Sequence, residues 1–185
     1  MSPGRALKVL SERGVLTLDL DALRGAALIA LVSLSSYALG FRFTSLFHDA
    51  SAETGALWAV ISGILALQAT RRSTWAAALL RVSGTLIGAS IATAYISTLP
   101  FSALGLAATT FVTVVLCHAA RIADHARLAV FTVAVMMVLS NLHETLPPIV
   151  NGLLRLAESC IGAATAVIAV LVWPEPAEPP SPAAE

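Results

Sequence analysis

Charge is the scarcest ingredient of this sequence. Asp, Glu, Lys and Arg make up 12% of its 185 residues, against roughly 25% in ordinary soluble domains. That shortage excludes a soluble globular domain, because so few charged groups cannot supply the polar shell around a soluble core. Disorder is excluded as well. It requires low hydrophobicity and high net charge, whereas 57% of these residues are apolar and the formal net charge is zero. Zero net charge also removes any global basic signal for nucleic acid, so no nucleic-acid partner is expected. The two cysteines, Cys117 and Cys160, both lie in apolar stretches, which predicts buried free thiols rather than a disulfide. No P-loop, zinc-ligand spacing or Gly-x-Ser-x-Gly element occurs, and His118, His125 and His143 share no spacing with carboxylates. No enzyme activity, metal or cofactor is therefore expected. Aromatic side chains are few at 6%, with three Trp and two Tyr, so the aromatic belts at the membrane surfaces are thin.

What the chain has instead is long apolar runs, and they predict an integral membrane protein whose first partner is the lipid bilayer. A bilayer core takes about 20 apolar residues as helix. Six spans are read at about 25–41, 54–69, 75–99, 101–119, 128–142 and 150–173, the second and fifth of them short. Pro100, Pro147, Pro148 and Pro174 fall at span ends, where a missing N–H costs little. The runs lack the alternation of a membrane barrel. Residues 1–22 form a cytoplasmic N-terminal segment that reads equally as a short interfacial helix or a loose tail. No cleaved signal peptide is expected, because the first apolar run starts late, after Asp19 and Asp21. Residues 23–174 form the membrane domain, and the Pro-rich tail 175–185 is expected to be disordered.

Positive charge sets the orientation. Arg5, Lys8, Arg13, Arg24, Arg71, Arg72, Arg81, Arg121 and Arg127 fall on one side, and Arg42 and Arg155 on the other. Both termini are therefore expected in the cytoplasm.

One motif occurs twice, 74 residues apart. The first copy begins Leu79-Leu80-Arg81 and continues through Gly84, Thr85, Ile87, Gly88 and Ala89 to Ala92. The second begins Leu153-Leu154-Arg155 and continues through Glu158, Ser159, Ile161, Gly162 and Ala163 to Ala166. Seven of fourteen positions are identical. The offset maps the first three spans onto the last three. Three is odd, so the second unit enters the membrane from the opposite side, as in inverted-repeat transporters. The expected fold class is thus all-α: a polytopic membrane protein of six transmembrane helices as two inverted three-helix repeats, about 23–100 and 101–174.

Gly84, Gly88 and Ala92 share one helix face, as do Glu158, Gly162 and Ala166. Such small residues let helices approach closely, and Gly84, Gly88 and Gly162 are read first as packing positions, against another helix or the repeat mate. Each motif holds an arginine, which is expensive in an apolar helix. Two readings of Arg81 and Arg155 stand side by side. Either they snorkel to the nearer interface or pair structurally, or they form a pair of anion sites, one near each mouth of a path, each with a guanidinium fork that suits a carboxylate. Glu158 lies one turn from Arg155, where it neutralises that charge or carries a proton. Thr85 and Ser159 are equivalent hydroxyls that bond back to their own helices or line the path. Arg71, Arg72, Arg121 and Arg127 form a cytoplasmic cluster that gathers anions or simply obeys the positive-inside rule.

The segment from Ala56 through Trp58 and Gly63 to Leu67-Gln68, the element Arg81-x-x-Gly84-Thr85-x-x-Gly88-Ala89, and Arg155-x-x-Glu158-x-x-x-Gly162 closing on Val172-Trp173-Pro174 together resemble the fusaric acid resistance / aromatic acid exporter family. The resemblance covers about 20–174. The family is similar in architecture to the plant aluminium-activated malate channels, whose six-span subunits form dimers. The resemblance implies export of small organic anions, especially aromatic carboxylates, across a bacterial inner membrane. Family members often carry two six-span halves or a large cytosolic domain. The region of resemblance is one half, so a homodimer is expected. On this reading Arg81 and Arg155 attract the carboxylate, Glu158 tunes or couples, and Thr85 and Ser159 add hydrogen bonds. The alternative is a non-transporting membrane subunit or scaffold that assembles with another transporter.

Overall fold

The computed structural model of the protein describes residues 20–142 and 146–173. Most of the N-terminal segment 1–22, His143, Glu144 and the tail 175–185 lie outside the described residues. The described residues form six α-helices and two single 3₁₀ turns, with no strand among them. The helices are α1 (Leu20–Ser45), α2 (Ala52–Ala66), α3 (Arg71–Ile96), α4 (Ala103–Ala119), α5 (Ala126–Leu142) and α6 (Pro148–Val172). The 3₁₀ turns Asp49–Ser51 and Ala123–His125 lead into α2 and α5.

Local chemistry places the helix ends. Thr70 caps α3 through a reciprocal capping box with Ser73. This starts the helix four residues earlier than the sequence suggested and puts Arg71 and Arg72 in its first turn rather than in the preceding connection. Ser102 caps α4 by accepting from the Gly105 N–H at 2.9 Å. Pro148 opens α6, where its missing N–H is harmless. Four segments are long and apolar enough to cross a membrane: Ala22–Ser45, Arg71–Ile96, Ala123–Asn141 and Pro148–Val172. With 15, 17 and 17 residues, α2, α4 and α5 are the short helices, about 22 to 25 Å against a hydrocarbon core of about 30 Å. The second span was expected to be short. The fifth, also expected to be short, reaches span length only with its leading 3₁₀ turn, as Ala123–Asn141, and the fourth is short as well because Ser102 caps it late.

The centre of the bundle is the pair α3 and α6, which run antiparallel. Arg71, at the start of α3, donates from Nε to the Val170 carbonyl near the end of α6 at 3.1 Å. At the other end, the Thr93 hydroxyl donates to the Pro148 carbonyl at 3.3 Å. Helix α2 packs on α6 and α5 on α3, while α1 lies against α2 and α6 and α4 against α5 and α3. Leu34, Leu79, Phe111, Leu153 and Ile168 project outward, while Gly, Ala, Ser and Thr fill the contacts between helices. Large residues outside and small ones inside is how helices pack in lipid, where no hydrophobic drive joins them. Cys117 is buried as expected, but Cys160 is exposed on the outer face of α6.

Candidate functional site

The largest buried side chains of this interior include two arginines and a glutamate, Arg81, Arg155 and Glu158. Arg81 sits ten residues into α3, about 15 Å from its start, and is 0% exposed. It does not snorkel, and neither does Arg155 at 1%. The Arg81 guanidinium carbon lies 5.3 Å from the centre of the Trp58 ring and 5.2 Å from that of Phe131. These rings stack on each other at 6.0 Å. Their electron-rich faces offset part of the cost of burying a cation. Arg81 Nε donates to the Ser62 hydroxyl at 3.1 Å. Its other two nitrogens, Nη1 and Nη2, have no hydrogen-bond partner, and no carboxylate among the described residues pairs with it.

Ser159 is the hub beside this arginine. Its hydroxyl accepts from the Trp58 indole N–H at 2.9 Å and shares hydrogen bonds with Ser62 at 3.1 Å and Thr85 at 3.0 Å. A hydroxyl has one proton and two lone pairs, so these three partners use its full capacity. Thr85 and Ser159 therefore bond to each other across the bundle, not back to their own helices.

Arg155 approaches the same indole, its guanidinium carbon 5.9 Å from the Trp58 ring. Its Nη1 faces Glu158 Oε2 at 3.0 Å. The Thr44 hydroxyl of α1 donates to Glu158 Oε1 at 2.7 Å. The sequence reading put the arginines near opposite mouths of a path. The structure brings them to one tryptophan, because burial carries Arg81 toward the bundle centre from one end and Arg155 from the other.

Close helix approach is what assembles this site. A Cβ on Gly162 would strike the Ala59 carbonyl of α2, and one on Gly88 would strike the Ala129 carbonyl of α5. Gly84 faces Leu128, also on α5. The glycine faces thus pack on α2 and α5 rather than on each other. Gly55 leaves the room that Thr44 and Glu158 occupy.

Arg71, Arg72, Arg121 and Arg127 are all exposed, the first two in the opening turn of α3 and the other two where α4 ends and α5 begins. Arg71 ties α3 to the end of α6 as described above, whereas Arg127 lies one turn before Phe131 on α5, and its neighbour Leu128 meets Gly84 midway along α3. A groove of about 180 Å³ between α3 and α6, lined by Leu86, Thr93, Ile149 and Gly152 among others, includes none of the site residues. The described residues contain no group of three or more His, Cys, Asp or Glu able to hold a metal.

Sequence reasoning missed Trp58, Ser62, Phe131 and Thr44 as site members. Trp58 and Ser62 are four apart and so share a helix face, a signal that was available. Phe131 and Thr44 carry none, since only the packing of α5 and α1 brings them in.

The protein family described as fusaric acid resistance protein-like matches residues 31–169 of the chain. That stretch contains every residue of the buried site. No curated protein and no solved structure matches.

Proposed function

The chain belongs to the fusaric acid resistance protein-like family, and from that premise we propose that it exports small organic anions, aromatic carboxylates among them, across a bacterial inner membrane. The family is one of membrane transport, and the chain is a multi-pass membrane protein. One observation carries the step from transport to anions. Arg81 is wholly buried, uncompensated by any described carboxylate, and has two guanidinium nitrogens with nothing to bond. A buried cation in that condition is stabilised by an anion that arrives and leaves. Ser62 holds Nε, so the Nη1–Nη2 edge is the part of the fork left for a carboxylate.

Arg155 and Glu158 stand beside the path as a paired charge, Ser159 braces Trp58, Ser62 and Thr85 at its centre, and Thr85 is the hydroxyl of the pair with capacity to spare. The exposed arginines Arg71, Arg72, Arg121 and Arg127 gather anions at the protein surface. On this reading all six helices cross the bilayer as two inverted repeats, with both termini cytoplasmic, and two chains form the working unit. Substrate is bound and released unchanged, with no metal or cofactor. The antiparallel α3–α6 pair supports the inverted relation, since its two members hold the two copies of the motif.

The test is benzoate efflux from proteoliposomes of the purified chain. Wild type is expected to carry benzoate, and Arg81→Ala to lose it by about tenfold or more, the effect of losing one charge-assisted contact, while still inserting and assembling. Undiminished flux in that variant would sink the anion path. No flux in well-folded wild type would favour the alternative, a non-transporting subunit.

A further inference from the structure

The two motif copies differ where the chemistry is decided. Arg81 is followed at the third position by Gly84, and Arg155 by Glu158. In the first copy this leaves two guanidinium nitrogens without a partner. In the second, the tethered carboxylate forms an ion pair with the guanidinium at 3.0 Å and is held from α1 by Thr44 at 2.7 Å, although Arg155 Nε and Nη1 and Glu158 Oε2 make no aligned hydrogen bond. Both arginines lie within 6 Å of one indole centre. The buried cluster therefore holds two positive charges and one negative. Thr44 is the only side chain of another helix that hydrogen-bonds Glu158 among the described residues.

Resting on the anion-transport reading above, we infer that Glu158 is a built-in occupant of the second arginine and thereby a specificity-determining residue: the site accepts one carboxylate and discriminates against two. Glu158 fills at Arg155 the place that a substrate carboxylate fills at Arg81. A monocarboxylate brings the cluster to neutrality. A dicarboxylate brings one charge too many into a low-dielectric interior, where an unpaired charge is strongly disfavoured. Gly84 cannot play the part of Glu158, since a Cβ there would lie 2.7 Å from the Leu128 Cβ, and Arg81 stays open.

The experiment compares uptake of benzoate, with one carboxylate, and terephthalate, with two, into proteoliposomes of the full chain. Wild type is expected to favour benzoate by about tenfold or more. Glu158→Gln is expected to shift that ratio toward terephthalate by about tenfold, because Arg155 becomes a second open cation. The double variant Arg155→Gln/Glu158→Gln, which restores the wild-type charge count, is expected to return the ratio toward benzoate. An unchanged ratio in Glu158→Gln overturns the inference and leaves benzoate transport standing. A double variant that keeps the terephthalate shift also overturns it. If Glu158→Gln does not assemble, the wild-type ratio decides, and preference for terephthalate overturns the inference. Absence of flux for both anions in wild type removes the transport reading itself, and this inference with it.

Discussion

Thr85 and Ser159 hold the same place in the two copies of the repeated motif, and their hydroxyls hydrogen-bond to each other at 3.0 Å, 74 residues apart in the chain. On the proposed inverted-repeat reading, residues in equivalent places meet in this way only near the axis that relates the two copies. Trp58, Ser62 and Arg81 are assembled around this hydroxyl pair.

Ser159→Ala removes the partner of the Trp58 indole N–H and leaves a buried donor unsatisfied. The expected loss is about 1–3 kcal/mol, read as thermal unfolding in detergent. Trp58→Phe in the Ser159→Ala background should then cost less than it does alone, because the donor has already lost its acceptor. Equal costs in both backgrounds would contradict the hub.

Thr44→Val takes away the hydroxyl that bonds Glu158 Oε1. Burial of that carboxylate with one donor fewer should cost about 1–3 kcal/mol, while Ser45→Ala next to it changes little, because the Ser45 hydroxyl only returns to the Arg42 carbonyl. Chemical denaturation of the three proteins side by side checks this. A harmless Thr44→Val would mean that Glu158 is not held from α1.

Gly162→Ala and Gly88→Ala place a methyl against backbone carbonyls that cannot swing aside. Each should destabilise by about 1–3 kcal/mol or prevent assembly. Gly25 meets nothing within 4 Å, so Gly25→Ala should be neutral or stabilising by up to about 1 kcal/mol. Monodispersity after extraction and thermal stability distinguish the two classes, and similar behaviour of all three would contradict the packing.

Much of the frame was legible because lipid imposes long apolar runs, and Pro100 and Pro148 punctuate them. The repeat was legible because its glycines and arginines cannot be exchanged freely. Burial depth was not legible. Arg81 seemed close to an interface because the capping box at Thr70 and Ser73, which lengthens α3 by a turn, was not recognised. The convergence of Arg81 and Arg155 on Trp58 depends on how α2 packs against α3 and α6, and no local spacing carries that. Phe131 and Thr44 were invisible for the same reason. Cys160 was misplaced because an apolar neighbourhood in sequence does not tell a lipid-facing position from an interior one.

Arg121 carries a positive φ of 61°. Ile122 N–H bonds the Cys117 carbonyl at 2.9 Å and Arg121 N–H the His118 carbonyl at 3.0 Å, the pattern that ends a helix with a left-handed residue. The sequence reading placed Arg121 in an anion-gathering cluster, but its backbone is also the stop signal of α4. Arg121→Gly relieves a strain of about 1–2 kcal/mol and forfeits a helix-end charge interaction of about 0.3–1 kcal/mol. A net gain of about 0–1.7 kcal/mol in unfolding free energy is expected, and a loss would contradict the strain.

Equilibrium binding of radiolabelled benzoate to purified wild type and Arg81→Gln tests the central claim most directly, because it needs no flux. The account predicts saturable binding in wild type, lost in Arg81→Gln while the variant remains folded and monodisperse. Saturable binding of equal strength in Arg81→Gln would contradict it.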